Sequence, residues 1–82
     1  MNVDQSGSDG GFLGRYTEQG HQDHARGFSK ALQDALQRAR ENGRIEPGQS
    51  YDSEVRFSIG IEVTNPPWVG DYRVWIDPTP RS

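Results

Sequence analysis

The chain has 82 residues, 30% of them hydrophobic and 26% charged, with a formal net charge of −3 and no cysteine. That length allows one domain with a small core, and the missing thiols exclude both a disulfide framework and thiolate metal sites. The arginines and the single lysine alternate with acids and form no concentrated cationic face, so no nucleic-acid partner is expected.

Residues 1–11, MNVDQSGSDGG, bury almost nothing and are expected to form a flexible arm. They lack the basic start and apolar stretch of a secretory signal, and no run reaches the roughly 20 apolar residues of a membrane span. These features predict a cytoplasmic protein with no membrane partner. Residues 12–19 follow with the β-formers Phe12, Tyr16 and Thr17, a first strand that Gly20 breaks.

Over 23–42 the residues Phe28, Ala31, Leu32, Ala35, Leu36 and Ala39 recur at three- and four-residue spacing, which predicts an amphipathic helix. Asp23 is placed to cap its free amides, and Gly43 to end it after Arg38 and Arg40. Gly27 falls in the first turn or allows close packing against a neighbour. Residues 44–53, centred on Pro47-Gly48, read as a turn and connection.

In the stretch 54–65 the odd positions up to Val63 are apolar (Val55, Phe57, Ile59, Ile61, Val63) and every even one is polar or glycine, the period of a strand with one buried face. Residues 65–71 form a breaker-rich loop. A last strand over 72–77 carries Tyr72, Val74 and Ile76 on one face and Arg73 and Trp75 on the other, and Pro78 and Pro80 end it before a tail at 79–82.

The expected fold class is α+β, a single βαββ domain over 12–78 with one amphipathic helix packed on a three-stranded antiparallel sheet. Pairing Val63 with Val74 and Ile61 with Ile76 gathers the aliphatics on the helix side, and sets Glu62 opposite Trp75 and Thr64 opposite Arg73. A single helix leaves the other sheet face open. Such a small core without disulfides needs further stabilisation, so a homo-oligomer, or a protein partner on that open face, is expected.

The candidate ligand-binding or interface residues are Tyr51, Arg56, Glu62, Trp68, Arg73 and Trp75. The flat aromatics among them can stack on a planar ligand or anchor a protein contact, and Trp68 can instead cap the edge of the core. The metal-like group is His21, Asp23 and His24, which a second subunit could complete into a site for a metal-dependent enzyme; the competing reading is a capping aspartate between solvated histidines. No nucleophile elbow, phosphate loop or HExxH pair is present, and the chain is not expected to be an enzyme.

Tyr16-Thr17-Glu18 and Gly20 leading into the Phe28 to Ala39 stripe, followed by two paired strands, resemble the dodecins over about residues 13–77. Dodecins are small βαββ proteins that assemble into hollow dodecamers and hold flavins between aromatic side chains. The resemblance implies a self-assembling scaffold, with flavin as the possible cofactor. Where the family places its flavin-stacking tryptophan, just before the second strand, this chain has Tyr51 and Asp52.

Overall fold

The computed structural model of the chain describes residues 11–17 and 23–81. The arm up to residue 10, the end of the first expected strand with Gly20, and His21 lie outside the described residues. The elements are β1 (Phe12–Thr17), α1 (His24–Glu41), β2 (Tyr51–Asp52), β3 (Val55–Glu62), β4 (Trp68–Ile76) and β5 (Thr79–Pro80). One antiparallel sheet runs in the order β1-β4-β3, and β2 pairs with β5. The fold is α+β, with a three-stranded sheet and one helix among the described residues. Among the described residues no helix is long and apolar enough to cross a membrane.

Local chemistry sets the ends of α1. The Arg26 amide donates to Asp23 Oδ1 at 3.0 Å, satisfying one of the free N–H groups of the first turn. At the other end Gly43 adopts φ 73°, and its amide donates to the Arg40 carbonyl at 3.0 Å. Glycine enters that left-handed region without the penalty a Cβ brings, so the chain turns off the helix there.

The helix meets the sheet through its smallest side chains. Gly27, Ala31, Ala35 and Ala39 are its buried residues, and they lie against the large residues Tyr72, Val74 and Ile76 of β4. Phe12, Tyr16, Phe28, Leu32, Ile45 and Val69 close the margins of this core. Small against large lets the two backbones approach closely. Gly14 of β1 sits under the Ala31 carbonyl and the Ala35 backbone, where a Cβ would collide with main chain rather than with a movable side chain.

The observed β3–β4 register differs from the expected one. Val74 faces Phe57 instead of Val63, Ile76 faces Val55 instead of Ile61, Trp75 faces Arg56 instead of Glu62, and Arg73 faces Ser58 instead of Thr64. The alternation of β3 is uniform, so every even shift aligns aliphatic with aliphatic, and the position of the turn decides between them. That turn is tighter than the expected 65–71 loop: the ladder continues to Glu62 opposite Trp68, and Thr64 Oγ1 donates to the Pro66 carbonyl at 2.8 Å.

The ladder also runs further the other way. Tyr51↔Pro80 and Asp52↔Thr79 continue the register of Val55↔Ile76. The Asp77 amide donates to Ser53 Oγ at 2.9 Å in the gap between the two ladders. Residues 51–52 and 79–80, expected in a connection and a tail, therefore form the outer end of one long hairpin. Arg44 ties this end to the helix exit, donating to Asp77 Oδ1 at 2.6 Å and to the Pro78 carbonyl at 2.8 Å.

Candidate interaction surface

The helix-free face gathers five of the six candidate residues. In the observed pairing Trp75 and Arg56 are neighbours, Arg73 lies beside Ser58, and Trp68 is opposite Glu62. Trp68 reaches this face because the ladder shifts register at Gly60/Ile61, opposite Gly70. Beyond the bulge the odd residue Val69 packs on the core and Trp68 turns outward, its ring over Gly70 with Glu62 alongside. Tyr51 stands apart, at the far end of the hairpin, where its hydroxyl accepts from the Glu46 amide at 3.1 Å.

Several groups of this face pair with one another. The Arg56 guanidinium stacks 4.7 Å from the centre of the Trp75 ring. Arg73 donates to Ser58 Oγ at 2.8 Å, and Arg73 and Arg15 both donate to Asp71 Oδ2. None of the close ring pairs among the described residues includes Tyr51, Trp68 or Trp75. Trp75, Arg56, Arg73 and Ser58 are thus engaged within the chain, while Asp71 Oδ1 is buried without a hydrogen-bond partner.

The metal-like group is likewise engaged where it can be seen. Asp23 caps the helix, and His24 Nδ1 shares a hydrogen bond of 2.8 Å with the Tyr72 hydroxyl. Among the described residues no three histidines, cysteines or carboxylates gather in a way that could hold a metal ion. A cleft of about 440 Å³ lined by Asp52, Ser53, Glu54, Asp77 and Thr79 lies at the outer end of the hairpin, and none of the candidate residues lines it.

The unsatisfied surface is on the other side of β3. A helix about 10 Å across covers roughly two strands spaced 4.8 Å apart, and α1 lies over β1 and β4. The apolar row of β3 faces the helix side, yet Val55, Phe57, Ile59 and Ile61 remain 39% to 59% exposed, and Val63 beyond the strand is 88% exposed. These residues were expected in the core. The width of one helix leaves them outside it.

The row is continuous with the core. Phe28 meets Phe57 edge-on at 4.9 Å and Tyr72 at 5.3 Å, and Leu36, 40% exposed, prolongs the apolar flank of the helix. Among the described residues β3 is also an edge, paired only with β4. A long apolar edge strand without proline or lysine offers unpaired backbone groups and buried-type side chains together, which is the arrangement that recruits another chain.

No family model, curated protein or solved structure matches the chain.

Proposed function

We propose that the chain is a non-enzymatic, self-associating interaction module, a scaffold in the manner of the dodecin-like expectation. Its contact surface is β3 and its apolar row rather than the helix-free face. The observation that carries this is the continuous exposure of Val55, Phe57, Ile59, Ile61 and Val63 on one edge strand. Apolar area of this kind gains about 25 cal/mol per Å² when removed from water, and a core built on alanines has little stability to spare.

The helix-free face supports the assignment by contrast, because Trp75, Arg56 and Arg73 are already paired within the chain. The test is native mass spectrometry of the untreated full chain across a concentration series. A concentration-dependent oligomer is expected. A chain that remains a bare monomer throughout would overturn self-association, and retained small-molecule mass would direct attention back to a planar ligand.

A further inference from the structure

We infer that the partner of β3 is the β3 strand of a second copy, paired antiparallel about a two-fold axis through Ile59. This rests on the self-association argued above and adds its geometry. The sequence of β3 and its extension, Val55-Arg56-Phe57-Ser58-Ile59-Gly60-Ile61-Glu62-Val63, is a palindrome of residue character centred on Ile59. Turning one copy about that centre sets Ile59 beside Ile59, Phe57 beside Ile61, and Val55 beside Val63. The same turn places Ser58 beside Gly60, the small residues next to the axis.

It also places Arg56 of each copy opposite Glu62 of the other. Each of these side chains lies on the helix-free face, and among the described residues neither forms an ion pair. Symmetry makes the pair twice, and opposite charges directly across a ladder are favourable. Neighbouring registers lose this match. Centring on Ser58 sets Glu54 against Glu62, and centring on Gly60 leaves Arg56 against Thr64 and Glu62 against Ser58. A shift to odd registers would bring apolar residues onto the polar face.

Nothing in β3 obstructs the pairing. The extra residue of the bulge is Gly70 on β4, so β3 itself keeps its regular alternation. An axis perpendicular to the sheet leaves both helices on one side and joins the two apolar rows into a single band between them. The result is a continuous sheet with the strand order β1-β4-β3 followed by its mirror sequence β3-β4-β1.

The experiment is a charge-reversal cycle on the full chain, read by sedimentation equilibrium and native mass spectrometry. Arg56→Glu and Glu62→Arg alone are each expected to weaken self-association by about tenfold or more, because both symmetric pairs become repulsive. The double variant, and an equal mixture of the two single variants, should recover association. Single variants that associate like the unaltered chain would overturn this register while leaving self-association standing. An unaltered chain that does not associate would overturn both.

Because the chain has no cysteine, single cysteines report the axis directly. Residues facing each other across an antiparallel ladder have Cα atoms about 4.5 to 5.5 Å apart, within disulfide reach. Ile59→Cys should therefore form a disulfide dimer on mild oxidation. Val55→Cys should not, since the two copies of residue 55 lie about 26 Å apart in this register. Cross-linking at 55 in preference to 59 would overturn the inference.

Discussion

β1 and β3 flank the same central strand, yet they meet their surroundings in opposite ways. On β1 the helix lies close enough that Gly14 touches its backbone, and the outward amide of Arg15 donates to Asp34 Oδ2 at 2.9 Å. A side chain from the helix thus occupies the edge. On β3, among the described residues, no helix overlies the strand, the apolar row is half exposed, and pairing is with β4 alone. One amphipathic helix has a finite width, and placing it firmly over one edge uncovers the other.

The largest effect should follow from disturbing the covered edge. Gly14→Val inserts a side chain where only main chain lies opposite, and is expected to cost more than about 3 kcal/mol in denaturant unfolding or to prevent folding. A cost below about 1 kcal/mol would mean that the helix does not rest on β1 as described. Ile76→Ala in the core should cost about 3 kcal/mol, whereas truncating its cross-strand neighbour by Val55→Ala should cost less than about 1 kcal/mol. Equal costs would remove the distinction between the strands.

A smaller effect is expected at the seal itself. Asp34→Ala should lower stability by about 1 kcal/mol and speed hydrogen exchange at the Arg15 amide, with little change at the β4 amides. An unchanged Arg15 rate would show that the carboxylate does not protect that edge. The smallest effect on folding belongs to the bare strand: Ile61→Lys should alter monomer stability by no more than about 0.5 kcal/mol while abolishing self-association, since a lysine on an edge opposes pairing. Intact association in this variant would place the contact elsewhere.

Much of this contrast was legible from residues. Asp23 and Gly43 announce the ends of the helix because capping is local chemistry, and the alternation from Val55 to Val63 announces a strand because its period is local too. The register was not legible, since an evenly alternating strand accepts any even displacement, and the breaker-rich stretch 65–71 places the turn too far along: β3 ends at Glu62 and β4 begins at Trp68. Trp68 illustrates the same gap: its side is set by the bulge opposite Gly70, which no periodicity reveals. The pattern of β3 identified the face its side chains share but not how much of that face one helix can cover. The relative widths of a helix and three strands held that information.

The Asp34 contact with Arg15 also bears on stoichiometry. A sheet with two bare edges is bivalent and can add copies without end. With the helix and Asp34 lying along the β1 edge, this sheet has a valence of one, and the proposed association through β3 would consume it. Edge-to-edge growth would then terminate at a pair. In that assembly a single carboxylate on the helix would contribute to the difference between a discrete pair and a fibre.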